Sequence, residues 1–162
     1  YDNLLITQTF SKSRSLAGAR LGFAIGDPAL IADLNTVRNS VNPYNVNRMT
    51  QAAGIAAIRE NDYFMGCCQT IRKNRTDTIA QLRSMGFTVL ESQANFVFAR
   101  CDAMPGTALY AALRRRGVLV RHFDTPALTD WLRITIGTQD QMAALLNTIA
   151  AILKEECPHA NC

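Results

Sequence analysis

No apolar run in the sequence approaches the roughly 20 residues that a transmembrane helix needs. The first residues, Tyr1, Asp2 and Asn3, also lack the basic segment followed by an apolar segment that marks a signal peptide. Charged residues make up only 19% and aromatic residues only 7% of the chain, which excludes the strongly charged, fibrous and low-complexity classes. We therefore expect a cytoplasmic globular protein whose 162 residues are enough to bury a core.

Cysteine occurs in an odd number and without the regular spacing of a disulfide framework, which favours a reducing compartment. The five cysteines are Cys67, Cys68, Cys101, Cys157 and Cys162. The last two belong to a tail, residues 157–162, that we expect to fray, and its metal-type residues are too few to predict a metal site. The net charge of +4 favours anionic ligands without indicating nucleic acid. We expect neither a nucleic-acid partner nor a membrane partner.

Local sequence signals divide the first half of the chain into strands and helices. Asp27 and Pro28 are an N-cap and a first-turn proline, so they predict a helix that ends near Asn42. Gly86 predicts the end of a long helix on which Arg75 and its basic neighbours face solvent. The predicted elements are a buried strand over 4–7, a strand over 23–25, and helices over 28–42, 46–58 and 63–85.

Short strands alternate with helices in the second half, which is the pattern of a small α/β domain. Thr138 and Gln141 form a capping box that predicts the start of the last helix. The predicted elements are strands over 87–90, 95–99, 118–120 and 131–136, with helices over 106–116 and 139–156.

The chain begins inside a strand, and two strands are too few to make a stable sheet alone. We therefore expect a piece of a longer protein whose missing part lies upstream. The predicted regions are an incomplete sheet domain over 1–45, connecting helices over 46–85, a small α/β domain over 86–156, and the tail over 157–162.

A lysine in the first loop has neighbours that suit an anion beside an amine. Lys12 comes just after the first strand, Thr9 and Ser11 precede it with hydroxyl groups, and Arg20 follows in a glycine-bearing turn. Strand ends of α/β sheets bind ligands, and hydroxyls together with a guanidinium bind phosphate. A neutral lysine amine can attack a carbonyl carbon to form a Schiff base. The plain alternative is one solvated surface lysine.

Residues 9–22, with the sequence TFSKSRSLAGARLG, resemble the Schiff-base lysine region of the fold type I pyridoxal-phosphate enzymes, specifically the class I and II aminotransferases. The resemblance implies that Lys12 binds pyridoxal phosphate covalently and moves a proton between substrate and cofactor. It implies that Thr9, Ser11 and Arg20 bind the cofactor phosphate. It also implies an α/β fold, in which part of the large domain of a fold type I enzyme is followed by its small C-terminal α/β domain.

Arginine recurs in the strands near the end of the chain. Arg133 lies inside an otherwise apolar strand, where a guanidinium needs an anionic partner, and Asp130 is the local alternative to a ligand. Residues 133–138, RITIGT, resemble the segment that supplies the substrate-carboxylate arginine of these aminotransferases. In their histidinol-phosphate aminotransferase branch, Arg121 is similar in position to a second arginine at the substrate phosphate. Asn95 is similar to an asparagine near the same end of the substrate.

The resemblance spans residues 4–153 and implies a homodimeric transaminase of histidine biosynthesis, which exchanges an amino group between glutamate and a phosphorylated keto substrate. The family's Asp-x-Ala-Tyr strand and glycine-rich phosphate loop have no counterpart in this chain, so we expect the chain by itself to lack activity. The open alternatives are a threonine-phosphate decarboxylase, an aromatic or alanine aminotransferase, and a folded domain that binds no cofactor. His122 is a further candidate, either for the site or for loop packing.

Overall fold

The computed structural model describes residues 1–156, and the chain divides at Cys68 and Gln69, inside one long helix, into two compact units. No helix of the described residues is both long and apolar enough to cross a membrane. The strands and helices, numbered along the chain, are β1 (Leu5–Thr9), β2 (Gly22–Gly26), α1 (Pro28–Val41), α2 (Arg48–Arg59), α3 (Asn61–Ser84), β3 (Phe87–Val89), β4 (Phe96–Cys101), α4 (Gly106–Arg115), β5 (Arg121–His122), β6 (Trp131–Thr135) and α5 (Gln139–Glu156).

The boundary between the two units lies inside the region predicted as connecting helices, residues 46–85. The assignment of residues 1–45 to a large domain and of residues 86–156 to a small domain stays a prediction. The predicted tail, residues 157–162, lies outside the described residues together with its cysteines and histidine.

The first unit contains a two-stranded antiparallel ribbon, in which Thr9 of β1 lies opposite Gly22 of β2. The prediction of a buried first strand is wrong, because all five residues of β1 are exposed. Among the described residues no third strand joins this ribbon, and two strands alone cannot bury a face. Phe10, just after β1, is buried and packs edge-to-face on Phe23, with 5.8 Å between the ring centroids.

Side-chain caps start the helices of the first unit close to the predicted places. The Asp27 carboxylate accepts a hydrogen bond from the Ala29 N–H (2.8 Å), which starts α1 with a proline in its first turn. The Asn47 side chain caps α2 in the same way through the Thr50 N–H (2.8 Å). Because α1 ends at Val41, the predicted start and end of this helix are confirmed.

The second unit is built on a four-stranded antiparallel sheet in the order β3-β4-β6-β5. Successive side chains of a strand point to opposite faces, so in β6 Leu132 and Ile134 are buried whereas Arg133 and Thr135 are exposed. The buried face packs into a core with side chains of α3, α4 and α5. The central members of this core are Leu82, Val97, Leu109, Leu113, Leu132, Ile134, Ile149 and Ile152. The other face of the sheet presents its arginines to solvent.

The prediction of a strand over residues 118–120 is wrong, because the edge strand of the sheet is β5, Arg121–His122. The Val118 N–H donates instead to the Leu113 carbonyl (3.0 Å), and Gly117 adopts φ +76°. These features close the end of α4, so the backbone of this segment is used by the helix and not by the sheet. The apolar pattern that suggested a strand reflects packing, since Val118 contacts the core.

The predicted capping box at the start of α5 is confirmed. The Thr138 N–H donates to Oε1 of Gln141 (2.9 Å), and the Gln141 N–H donates to Oγ1 of Thr138 (3.3 Å). Each side chain thus satisfies one backbone donor that the first turn of the helix leaves without a partner.

Replacing Thr138 with alanine is expected to lower the free energy of unfolding by about 1 kcal/mol, because the cap is lost. Urea unfolding followed by circular dichroism measures this change. Gln139→Ala, at an exposed neighbouring position, is the matched control and should change stability by less than about 0.5 kcal/mol. An unchanged unfolding midpoint for Thr138→Ala contradicts a stabilising role for the cap.

Candidate functional site

The loop that carries Lys12 joins β1 to β2 and is closed by its own backbone. The Phe10 N–H donates to the Leu21 carbonyl (3.0 Å), and the Leu16 N–H donates to the Phe10 carbonyl (3.1 Å). The Ser15 N–H donates to the Lys12 carbonyl (3.2 Å), with Ser15 in the left-handed region at φ +57°. Lys12 therefore lies in a tight turn, and its side chain is exposed.

The two predicted hydroxyls and the predicted arginine lie on the same loop as Lys12. The Thr9 hydroxyl donates to the Ser11 hydroxyl oxygen (2.8 Å) and accepts from the Ser11 N–H (3.1 Å). Arg20 adopts φ +54° at the far end of the loop and donates through Nη1 to the Ala17 carbonyl (3.1 Å). The structure thus brings Thr9 and Ser11 into direct contact. The bond from Arg20 to Ala17 uses one guanidinium N–H and leaves the other donors of Arg20 for a ligand.

The Lys12 loop carries positive charge that no described side chain neutralises through an ion pair. Neither Lys12 nor Arg20 forms an ion pair within the part of the chain that the structure describes. An anion bound to this loop would reduce the repulsion between its cations. Hydroxyls, backbone N–H groups and a guanidinium are donors that suit a phosphate, and an amine suits a carbonyl carbon.

Arg14 anchors the Lys12 loop to the helices of the first unit. Its guanidinium carbon lies 3.8 Å from the centroid of the Phe64 ring, within the range of a cation–π contact. The guanidinium donates to the Ala57 carbonyl in the last turn of α2 and to Oδ1 of Asn61 (3.3 Å) at the start of α3. A cation at the end of α2 is also favourable for the helix dipole.

Arg14→Ala is expected to speed amide hydrogen exchange of residues 11–16 by about tenfold or more, because hydrogen bonds from a charged donor are lost. Exchange followed by mass spectrometry measures the effect on this segment. Arg38→Ala is the matched control, since Arg38 is exposed on α1 and, within residues 1–156, its side chain bonds only to Asn39. Equal exchange in Arg14→Ala and in the unmodified chain contradicts the anchoring role.

In the second unit, Arg121 and Arg133 lie directly opposite each other on β5 and β6. Both are exposed, and no ion pair of the described residues includes either of them. The local alternative partner, Asp130, accepts a hydrogen bond from the Gly106 N–H instead (3.3 Å). Like charges opposite each other destabilise a strand pair. An anion bound between the two guanidinium groups would be attracted to both and would offset the repulsion between them.

Aromatic rings hold both guanidinium groups in place. The guanidinium carbon of Arg121 lies 5.3 Å from the centroid of the Phe123 ring, and that of Arg133 lies 5.4 Å from the Phe96 ring. A cation–π contact uses the flat face of a guanidinium, so the N–H edges stay available for an anion. The sequence interpretation did not include these rings. For Phe96 the signal was present as aromatic and basic residues at alternate positions of β4 and β6, and for Phe123 as an aromatic residue two positions after Arg121.

Asn95 lies in the turn that leads into β4, and the backbone fixes this turn to the end of β6. The Ile136 N–H donates to the Asn95 carbonyl (2.9 Å). The Ser92 hydroxyl donates to the Phe96 carbonyl (2.6 Å) and accepts from the Ala94 N–H (3.1 Å). Asn95 is exposed. Arg121 and Arg133 thus lie on two neighbouring strands, and Asn95 lies in the turn before β4, the strand on the other side of β6.

Arg75 was predicted to face solvent, and this prediction is wrong, because only 8% of its surface is exposed. Its guanidinium donates to the Ala94 carbonyl (2.7 Å) and to Oε1 of Gln93 (3.3 Å). The turn before β4 covers this side of α3, and helical periodicity alone cannot reveal a contact with a segment about 20 residues away. No sequence signal singled out Arg75 from its basic neighbours.

His122 serves loop packing, which was one of its two predicted roles. Its ring stacks on Tyr110 with 5.4 Å between centroids, Nε2 lies 2.8 Å from the Thr129 carbonyl, and Nδ1 lies 3.2 Å from Oδ1 of Asp124.

On α3 a hydrogen bond with Cys67 raises the pKa of Tyr63. Within residues 1–156 no group of three or more potential ligands could hold a metal ion.

Solved structures with the same fold include histidinol-phosphate aminotransferases and a threonine-phosphate decarboxylase. The histidinol-phosphate aminotransferase from Clostridium acetobutylicum matches with a TM-score of 0.85 over 96% of this chain and 47% of that chain, at 24% identity, which shows the fold alone. The histidinol-phosphate aminotransferase from Sinorhizobium meliloti, solved in complex with pyridoxal-5′-phosphate, matches with a TM-score of 0.76 over 93% of this chain and 42% of that chain, at 28% identity. The fold is therefore that of part of a fold type I pyridoxal-phosphate enzyme, as predicted.

Residues 1–149 match the family described as aminotransferase class I and II, and the chain belongs to this family. Among curated relatives, the histidinol-phosphate aminotransferase of Chromohalobacter salexigens is 48% identical over 154 residues. That match covers 95% of this chain and 44% of the relative, so the chain spans less than half the length of the relative. The predicted family resemblance is confirmed.

Proposed function

We propose that the whole protein is a pyridoxal-phosphate-dependent aminotransferase of histidine biosynthesis. It would exchange an amino group between glutamate and imidazole-acetol phosphate, giving histidinol phosphate. Membership of the class I and II family and 48% identity to a histidinol-phosphate aminotransferase support this reaction. We further propose a cytoplasmic homodimer.

The observation that carries the proposal is the position of Lys12 in a closed turn just after β1, beside two hydroxyls and with Arg20 on the same loop. Pyridoxal phosphate needs an amine for its aldehyde and donors for its phosphate. The loop supplies both, and no ion pair of the described residues neutralises its cations. The residues present therefore fit this cofactor.

Each residue of the loop has a distinct task in the proposed reaction. Ser11 and Arg20 would donate hydrogen bonds to the cofactor phosphate and so orient it, and the Thr9 hydroxyl would do the same in exchange for its bond to Ser11. Bound pyridoxal phosphate supplies an aldehyde for condensation with an amine and a ring that withdraws electrons from the substrate Cα. The Lys12 amine would hold the cofactor between turnovers, and in its free form it would move a proton at the substrate Cα.

The second unit would bind the anionic end of the substrate. Two guanidinium groups on opposed strand positions, each held by an aromatic ring, suit a phosphate dianion better than a single carboxylate. Asn95, fixed to the end of β6 by the Ile136 N–H, would add an amide donor. We therefore assign Arg121, Arg133 and Asn95 to substrate binding.

Three alternatives remain distinct from this proposal. A threonine-phosphate decarboxylase also uses a phosphorylated substrate, whereas an aromatic or alanine aminotransferase does not. A folded domain without cofactor would have no use for the Lys12 loop. The pair of arginines favours a phosphorylated substrate over the second alternative.

A substrate panel tests the proposal on the whole protein. Amino transfer from glutamate to imidazole-acetol phosphate is compared with transfer to pyruvate and to aromatic keto acids, and with release of carbon dioxide from threonine phosphate. We expect kcat/KM for imidazole-acetol phosphate to exceed that for pyruvate and the aromatic keto acids by about 100-fold or more, since these acids lack the two charged phosphate contacts. Threonine phosphate keeps those contacts, so it is distinguished by the reaction type, and we expect no release of carbon dioxide from it. Preferred decarboxylation, preferred transfer to an unphosphorylated acid, or no turnover would each support the corresponding alternative and contradict the proposal.

A further inference from the structure

Two adjacent polar residues of α3 are buried in the second unit. Asn74 has 6% and Arg75 has 8% of its surface exposed. No ion pair of the described residues includes Arg75, so its charge is balanced only by hydrogen-bond acceptors. Burying a guanidinium in this way is costly, and an apolar residue would serve core packing better. Core packing alone therefore does not explain why these two buried residues are polar.

The pair holds the ends of the two central strands. Arg75 Nη1 donates to the Ala94 carbonyl (2.7 Å) and Nη2 to Oε1 of Gln93 (3.3 Å), in the turn before β4. Asn74 Nδ2 donates to the Gly137 carbonyl (2.9 Å), just after β6. β4 and β6 are antiparallel neighbours, so the start of one lies beside the end of the other. Asn74 and Arg75, adjacent on one helix, thus form a clamp on both segments.

These two segments contain or adjoin residues that we assign to substrate binding. The turn held by Arg75 contains Asn95, whose carbonyl is bonded to the Ile136 N–H (2.9 Å). Gly137 follows the strand that carries Arg133. A shift of either segment would move the amide of Asn95 relative to the guanidinium of Arg133, and small displacements of binding groups reduce affinity and rate strongly.

We propose that Asn74 and Arg75 are positioning residues for the phosphate end of the substrate. This inference rests on the proposed function, because it takes Asn95 and Arg133 as substrate ligands. Arg75 acts through Ala94 and Gln93 and does not itself touch the substrate. Its role is to keep the turn before β4 in the one conformation in which Asn95 meets the phosphate.

The test uses the whole protein loaded with cofactor and two amino substrates that differ only in the phosphate, histidinol phosphate and histidinol. Arg75→Met keeps the apolar stem and removes the hydrogen bonds, whereas Arg72→Met changes an exposed arginine on the same helix and is the matched control. We expect Arg75→Met to lower the ratio of kcat/KM values, histidinol phosphate over histidinol, by about tenfold through a higher KM for the phosphorylated substrate. Activity on histidinol should stay within about twofold.

Hydrogen exchange of residues 92–96 is the readout that does not depend on activity. It should be faster in Arg75→Met and unchanged in Arg72→Met. If Arg75→Met fails to fold, Gln93→Ala removes one acceptor at an exposed position and should lower the substrate ratio by about threefold. A substrate ratio unchanged in the variant that folds would overturn the inference, since a purely structural role changes exchange without changing specificity.

Failure of the proposed function is recognised separately. If the unmodified protein does not prefer histidinol phosphate, the substrate assignment is wrong, and the clamp is then judged on hydrogen exchange alone. Faster exchange of residues 92–96 in Arg75→Met but not in Arg72→Met would still support the clamp on the turn. Equal exchange in both variants would overturn it.

Discussion

Replacing Lys12 with alanine is expected to lower kcat of the whole protein by about 10²- to 10⁴-fold from the loss of proton transfer alone. The amine is the group that would hold the cofactor and move the proton at the substrate Cα. Because the Lys12 side chain is exposed, its removal should leave the fold intact. Thermal unfolding of the variant without cofactor should therefore match that of the unmodified protein without cofactor. A steady-state assay with glutamate and imidazole-acetol phosphate measures the loss.

Lys73→Ala is the matched control for this substitution. Lys73 is exposed on α3 and forms an i,i+4 ion pair with Asp77 at 3.5 Å, an interaction worth only about 0.5 kcal/mol. Its replacement should leave activity unchanged within about twofold. Comparable losses in Lys12→Ala and Lys73→Ala would contradict a catalytic role for Lys12.

Replacing Arg133 with glutamine is expected to raise KM for imidazole-acetol phosphate by about 10- to 100-fold, since one charge-assisted hydrogen bond contributes about 1.5–3 kcal/mol. Arg121→Gln should act in the same direction, because the two residues lie opposite each other on β5 and β6. Each substitution removes like-charge repulsion and also one cation–π contact of similar size, so the stability of the free protein should change by less than about 1 kcal/mol. Steady-state kinetics together with thermal unfolding separates these effects.

Arg100→Gln provides the control for the arginine pair. Arg100 lies on the same sheet and over an aromatic ring, Trp131, but it forms an ion pair with Asp102 (3.3 Å). Its charge is therefore already balanced, and KM should change by less than about threefold. An equal rise in KM for Arg100→Gln would mean that the whole charged face steers the substrate and that no specific pair binds it.

Helix boundaries could be predicted from the sequence where a side chain itself forms the cap. Asp27 and the Thr138–Gln141 box make the hydrogen bonds that their spacing predicts. Such signals are local, so tertiary structure does not change them. The family was likewise recognisable from the sequence. Residues 9–22 and 133–138 keep the residue types, in the order, that the family uses to bind cofactor and substrate.

Features that depend on distant segments could not be predicted. In the apolar run at 118–120, Val118 and Val120 pack on the core and Leu119 is exposed, while the Val118 N–H closes α4. Residues of β1 look like a buried strand, although the described ribbon leaves them exposed. Arg75 is buried by a turn about 20 residues away. In each case the side-chain pattern is compatible with two structures, and only the tertiary contact decides between them.

The most direct test of the account is to find which amine binds the cofactor. The whole protein is loaded with pyridoxal phosphate, reduced with borohydride, digested and mapped by mass spectrometry. The described chain offers a clear contrast, since its lysines are Lys12, Lys73 and Lys154. We expect the label on Lys12 and none on Lys73 or Lys154. A label on either of the other two lysines, or none in this chain, would contradict the claim that the Lys12 loop is the cofactor site.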